Sequence, residues 1–321
     1  MILICSNEEE PTTDLVCEWL NFYNKKFIRF SSKDKIKIKK VLINSMEGGD
    51  IYFELKGQNM KLSDVNSYWY RRSKLSFYDE LSMSKEEIRL LDDYNFAILN
   101  INISEYKNII SFFKAELDLK SKLNKFSDTK INKLKILNQA ARLGLNIPQT
   151  IIGKNELDFK DLKGESTITK AIGDIIFEFK NKSYGLMTNK IEINSSKCKE
   201  EFFYTLLQNQ VEKKLELRIF YLDNTFYSTA IFSQSSDLTK VDFRNYDLSN
   251  PNRVVPYKLP IEIEDKLSNL FEEFDLKSGS VDMALTLDDK YIFFEINPIG
   301  QFEQVSFPSN YYLHKKIAEI L

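Results

Sequence analysis

Residues 290–302 read KYIFFEINPIGQF. Side chains two apart on a strand share a face, so Glu295 and Asn297 point the same way at the end of a strongly apolar run. Pro298 has no amide hydrogen to offer a sheet and ends the strand beside them. Upstream, SVDMALTLDDK carries one further acid, Asp282, and Asp288-Asp289 offers a turn between the two runs. Folding there brings Asp282 toward Glu295 or Asn297, so that three oxygen donors converge at a sheet edge. Such a set suits Mg²⁺, which is held by one or two carboxylates together with waters and substrate phosphates. The same residues would also stand as incidental polar groups on an edge strand, so the rest of the chain has to decide.

The elements that position these donors belong to a chain of 321 residues, long enough for two or three packed units. Lys and Arg total 45 and Asp and Glu 47, a balance that lacks the basic excess of a nucleic-acid binder. A single histidine, His314, nearly excludes a His-based triad or a His-rich zinc site. Cys5, Cys17 and Cys198 are odd in number and fit no metal spacing, so they read as reduced thiols of a cytoplasmic protein. No apolar run reaches membrane-spanning length, and MILICSNEEEP turns acidic too soon for a secretory signal.

Hydrophobic patterning divides the chain at about residues 119 and 197. In 1–119, strands at 1–5 and 27–30 flank a helix capped by Thr12 or Thr13, the start of an open α/β domain. KIKIKKVLI and DIYFELKG read as hairpin or edge strands, SYWYRRS at 67–73 as a strand ending in two arginines, and 84–119 as helical. Alternation sets Trp69 and Arg71 on one face of that strand and Tyr68, Tyr70 and Arg72 on the other. In 120–197, a helix capped by Ser127 or Asp128 runs to Gly144, and STITKAIGD is a strand ending near Lys170. IIFEFKNKSYGLMTNKI follows as a hairpin. In 198–321, a helix over about 198–207 leads to a hairpin turning at Asp223-Asn224, a helix at 266–276 and the second hairpin at 288–289.

Asp282 followed by FFEINPIGQF resembles the metal-binding end of ATP-grasp ligases. NKLKILNQAARLGLNIPQT is similar to that family's entry helix and strand, TITK to its nucleotide-binding lysine strand, and LLQNQVEKKLELR to its hinge and basic strand. Within the superfamily, YWYRR, LELR…IFSQ and VDFRNYD are similar to the peptide maturases that build graspetides, of the microviridin-like and grasp-with-spasm types. The resemblance spans essentially the whole chain. It implies an α/β (α+β) ATP-grasp fold: an N-terminal pre-ATP-grasp α/β domain, a small central subdomain and a C-terminal antiparallel-sheet subdomain.

The resemblance also implies roles. Asp282, Glu295 and Asn297 hold Mg²⁺. Gln208, Asn209, Gln210 and Val211 form the adenine hinge, Glu212 meets the ribose, and Lys133 and Lys170 meet the phosphates of ATP. Arg218 and Arg244 neutralise charge on the transferred phosphoryl group or hold the activated carboxylate, a task for which the forked guanidinium is suited. Arg71, Arg72 and Gln234 are substrate candidates, and segment 120–145 is a candidate dock for a peptide leader. One departure stands out: the stretch matching the family's glycine-rich phosphate loop has only Gly173 and Gly185. The activity implied is ATP-dependent joining of Asp or Glu side chains of a precursor peptide to Ser, Thr or Lys side chains; ligases of this kind are often homodimers, and the sequence itself leaves the oligomeric state open. An ATP-grasp ligase of free amino acids or of a protein C-terminus is the second reading, and a non-catalytic peptide-binding relative the third.

Overall fold

The structure, a computed structural model, describes residues 1–44, 49–78, 81, 83–162, 166–173, 176–179, 182–185, 188–191, 201–234 and 251–321. They form two units: Met1–Thr129 with Leu313–Leu321, and Lys130–Tyr312.

In the first unit, β1 (Ile2–Ser6) leads through α1 (Pro11–Phe22) to β2 (Phe27–Phe30). A meander of β3 (Lys37–Leu42), β4 (Asp50–Leu55) and β5 (Gln58–Lys61) comes before β6 (Ser67–Arg72). β1 is buried along its whole length because it is the middle strand of a parallel sheet, β2-β1-β6. The cap of α1 is Glu10, not Thr12 or Thr13: its carboxylate accepts from the Thr13 amide at 2.8 Å, while both threonines are buried in the helix. The helical stretch divides into α2 (Lys85–Arg89) and α3 (Asp93–Asp118), because Asp92 caps a new start by accepting from the Asn95 amide at 2.7 Å.

The second unit opens with α4 (Lys133–Arg142), whose cap is Asn132 and not the expected Ser127 or Asp128. Asn132 Oδ1 accepts from the amides of Leu134 and Lys135, which makes Lys133 the first helical residue. Gly144, at φ +78°, ends the helical run. Then come β7 (Thr150–Gly153), β8 (Thr167–Thr169), a hairpin of β9 (Ile176–Phe179) and β10 (Lys182–Gly185), β11 (Asn189–Ile191) and β12 (Thr205–Asn209). The helix expected over about 198–207 is thus corrected. Residues 205–209 are a strand held between β7 and β8 in the antiparallel sheet β11-β8-β12-β7, where ladder bonds override a weak helical pattern. Residues 198–200, and with them Cys198, lie outside the described residues.

A five-stranded antiparallel sheet follows: β13 (Lys213–Leu222), β14 (Thr225–Phe232), β15 (Arg253–Tyr257), β16 (Ser278–Thr286) and β17 (Tyr291–Asn297), in the order β15-β14-β13-β16-β17. α5 (Ile261–Glu273) precedes β16 and α6 (Glu303–Ser309) follows β17. The turn expected at Asp223-Asn224 has both residues at positive φ, 45° and 62°. Leu217 and Ile219 of β13, Val281 and Met283 of β16, and Phe293 and Ile296 of β17 share one core with Ile136 of α4 and Leu267, Leu270 and Phe271 of α5. Each such side chain contributes on the order of 1.5–3 kcal/mol by leaving water. One face of the sheet therefore stabilises the unit; the other is covered in part by α6, with Phe220 packed on Phe302, and elsewhere carries polar groups. The last helix, α7 (Leu313–Ile320), returns to the first unit and packs on α1.

Two register shifts set which side chains reach the polar face. Asp282 pairs with Glu295 while Met283 pairs with Phe293, so Phe294 is an extra residue on β17. Without it, Glu295 would follow Phe293 into the core by simple alternation. With it, Phe293 and Ile296 are both buried while Glu295 and Asn297 face away. Likewise Lys213 pairs with Thr286 and Leu215 with Leu285, leaving Lys214 as the extra residue on β13. Beyond β17 the chain folds against β16 so closely that a Cβ on Gly300 would stand 1.9 Å from Ser280 Oγ and 2.4 Å from its amide nitrogen. A Gly300→Ala variant must therefore push the segment after β17 off β16. The expected cost is about 1–3 kcal/mol, seen as a lower urea midpoint; an unchanged midpoint would show that the segment yields freely.

Candidate nucleotide and metal site

On the polar face of the five-stranded sheet, neighbouring strands set Arg218 beside Asp282 and Asp282 beside Glu295. Arg218 is 7% exposed; its Nη1 contacts Asp282 Oδ1, and its Nη2 donates to Ser280 Oγ at 3.2 Å. One strand further out, Lys133 Nζ reaches from the first turn of α4 to Glu295 Oε2 and Asn297 Oδ1, each at 3.2 Å. Asn297 Nδ2 donates to the other oxygen, Glu295 Oε1, at 3.0 Å. Burial alone would raise the Glu295 carboxyl. The charge of Lys133, the Asn297 amide and the charge of Lys170 outweigh it and hold the group well below its ordinary value.

These oxygens fit a hard divalent cation. Asp282 and Glu295 supply two carboxylates and Asn297 an amide, leaving further positions for phosphate and water. Among the described residues no group of three or more His, Cys, Asp or Glu side chains could hold a metal, so this mixed set is the candidate. Its chemistry is that of a cation bound jointly by protein and ligand, not of a closed structural site.

An open cleft runs from Asp282 and Glu295 on this floor to the end of β12. Pro148, Ile168, Val211 and Phe294 give it apolar walls, and Gln208, Asn209 and Gln210 a polar edge. The hinge is rigid. Gln208 is 1% exposed and donates through Nε2 to Thr150 Oγ1 at 2.7 Å; the Gln210 amide donates to the Ser166 carbonyl at 2.9 Å. Lys170, just past β8, lines the cleft, whereas Glu212 is exposed and outside its lining.

Sequence reasoning missed Lys213 and Glu216, which line the same cleft. Lys213 Nζ lies 2.9 Å from Glu216 Oε1, which also accepts from Ser233 Oγ at 2.8 Å. The signal was in LELR: Glu216 sits two before Arg218 and shares its face. Gln234 donates to Ser233 Oγ at 3.0 Å and so joins this group. Arg71 and Arg72 belong to the first unit. Arg71 is 2% exposed with its guanidinium 3.3 Å from Glu10, and Arg72 is half-buried. Arg244 lies outside the described residues.

No family model matches the chain, and no curated protein matches it. Solved structures do. A RiPP-associated ATP-grasp ligase of Chryseobacterium gregarium, solved with ADP and a leader and core peptide, superposes with a TM-score of 0.74 at 23% identity, covering 99% of this chain and 94% of that one. The macrocyclase MdnC of Microcystis aeruginosa MRC, bound with precursor peptide MdnA, gives 0.71 at 23% identity over 100% and 98%. The ATP-grasp ligase PsnB, complexed with a minimal precursor, Mg and ADP, gives 0.66 at 12% identity over 99% and 95%. The chain thus has the fold of ATP-grasp ligases, as the sequence led us to expect.

Two measurements probe the charges. Arg218→Met leaves Asp282 without its guanidinium partner and is expected to cost about 3–5 kcal/mol of stability. Combining it with Asp282→Asn should cost less than the two single losses added together. For Glu295, the depressed folded value means a stabilisation present above its ordinary 4.5 and lost as pH falls toward about 2. Acid titration of stability, without added metal, should therefore show a shallower decline over that window in Glu295→Gln than in the wild type.

Proposed function

We propose that this chain is an ADP-forming peptide ligase that uses ATP and Mg²⁺ to close links between side chains of a precursor peptide. The observation that carries the reading is the gathering of Asp282, Glu295, Asn297, Lys133, Lys170 and Arg218 on one floor beneath the hinge at 208–211. It is supported by a fold shared with ligases solved with ADP and with leader, core or precursor peptides.

In this reading Gln208–Val211 and the apolar walls hold the adenine, and Lys133 and Lys170 serve the phosphates, while Glu212, exposed outside the cleft lining, would reach the ribose only by turning inward. Asp282, Glu295 and Asn297 would hold Mg²⁺, which neutralises charge between the β- and γ-phosphates when bound. The γ-phosphoryl group passes to a carboxylate oxygen of a peptide Asp or Glu, and ADP leaves. A Ser or Thr hydroxyl, or a Lys amine, then attacks the acyl carbon; phosphate departs with the former carboxylate oxygen, and the nucleophile gives up its proton. Arg218, with Arg244, stabilises the charge that develops in both steps. Holding both peptide groups in one cleft makes ring closure effectively unimolecular. No protein nucleophile is required. Arg71, Arg72 and Gln234 are assigned to the peptide, and the leader to segment 120–145. The enzyme works as a homodimer in the cytoplasm, where ATP and Mg²⁺ are supplied; among the described residues no helix is long and apolar enough to cross a membrane.

Intact-mass spectrometry tests this. A small peptide rich in Ser, Thr, Lys, Asp and Glu, encoded beside this gene, is incubated with the protein, Mg²⁺ and ATP. The expected result is loss of one water mass per bond formed, dependent on ATP and abolished in Glu295→Gln. An unchanged peptide, with ATP hydrolysed and a free amino acid consumed, would replace the reading with that of a small-molecule ligase.

A further inference from the structure

We propose that Lys133 is a built-in counter-cation for the metal ligands. Its ammonium neutralises Glu295 and occupies the oxygens of Glu295 and Asn297, and must leave them when a divalent ion binds. The inference rests on reading Asp282, Glu295 and Asn297 as the metal ligands.

The geometry carries it. Lys133 Nζ bridges Glu295 Oε2 and Asn297 Oδ1, at 3.2 Å from each. Those are oxygens that a divalent ion would take, at the 2.0–2.1 Å typical of Mg²⁺. An ammonium and a divalent ion cannot both occupy that space, so the two compete directly. The second oxygen of Glu295 is fixed independently by Asn297 Nδ2 at 3.0 Å, so the pair keeps its shape when the lysine departs. Its backbone is pinned beside the Asn132 cap, while its side chain is a flexible four-carbon stem about one-fifth exposed, long enough to swing its ammonium to a new partner.

The consequence is a coupling between ligands. A polyphosphate in the cleft gives the displaced ammonium a new partner, so nucleotide favours metal and metal favours nucleotide by the same factor. Without nucleotide, Lys133 keeps divalent ions weakly held.

The test measures Mn²⁺ affinity of the nucleotide-free protein by the free-Mn²⁺ signal in electron paramagnetic resonance, with the rise in Tm on adding Mn²⁺ as a second readout. Lys133→Met is compared with Lys170→Met, whose charge also acts on Glu295. If Lys133 competes by contact, Lys133→Met binds Mn²⁺ about tenfold more tightly than wild type, within the usual range of coupling between sites. Lys170→Met then gains far less, and Lys133→Gln, neutral but still a donor, falls between. Equal gains in the two methionine variants would reduce the effect to long-range charge and overturn the proposal, as would an unchanged affinity in Lys133→Met. Glu295→Gln separates the two ideas. If it weakens Mn²⁺ binding while Lys133→Met has no effect, the metal site stands and the counter-cation fails. If Glu295→Gln has no effect either, the assignment of the metal ligands fails with it.

Discussion

Charges taken out of water survive only opposite other charges. The polar face of the five-stranded sheet is organised by that constraint. Arg218 and Asp282 face each other across β13 and β16, and Lys133 closes on Glu295 and Asn297 from α4. Lys213, Glu216 and Ser233 make a third such group. None of these side chains could be packed singly without a large penalty. Together they make a floor on which charge is already arranged, so a charged ligand meets oriented partners and little has to reorganise.

That floor depends on an irregularity in the sheet. A regular ladder would carry Glu295 to the same face as Phe293. The extra residue Phe294 reverses the alternation, and the core keeps Phe293 and Ile296 while the cleft receives Glu295 and Phe294 itself, with Asn297 beside Glu295 on the same face. The shift at Lys214 does the same for Lys213, which lands within reach of Glu216. Bulges are costly breaks in pairing and tend to persist where a side chain must be re-aimed. Here Phe294 itself lines the cleft and the shift at Lys214 sets its neighbour Lys213 there, while buried Leu215, Met283 and Phe293 hold the strands in register. The core on the far face is what makes the irregularity tolerable on the near one.

Much of this was legible in the sequence. Strong alternation and good turn residues gave the two hairpins, and the short-range i, i+2 rule put Glu295 with Asn297 correctly. Asp282 was placed beside them by the hairpin alone. What escaped was governed by long-range pairing. Residues 205–209 carry a pattern that suits a helix, yet β7 and β8 draw them into a sheet. The bulge at Phe294 has no marker in composition, because a phenylalanine there suits either face. The caps at Glu10 and Asn132 were missed because neighbouring Thr12, Thr13, Ser127 and Asp128 are as good or better by residue type. Only the path of the chain decides among them. Glu216 was overlooked for a different reason: its i, i+2 spacing to Arg218 was readable, but its partners Lys213 and Ser233 come together only through the bulge and the β13–β14 pairing.

The charge balance of the cleft argues for how its ligands must arrive. Among the described residues, Lys133, Lys170, Lys213 and Arg218 stand against Asp282, Glu295 and Glu216. The protein's own charges are therefore nearly matched before any ligand enters. A polyphosphate alone would add several negative charges beside carboxylates already buried, and a divalent ion alone would have to evict an ammonium. Under the function proposed, the two would enter together, the metal replacing the ammonium on the carboxylate and the phosphate receiving it. A site built this way, under the function proposed, is selective for the metal–nucleotide pair without a specific contact devoted to that choice. Such selectivity would reside in the balance of charge on the floor, which any change of charge at Lys133, Arg218 or Asp282 would upset.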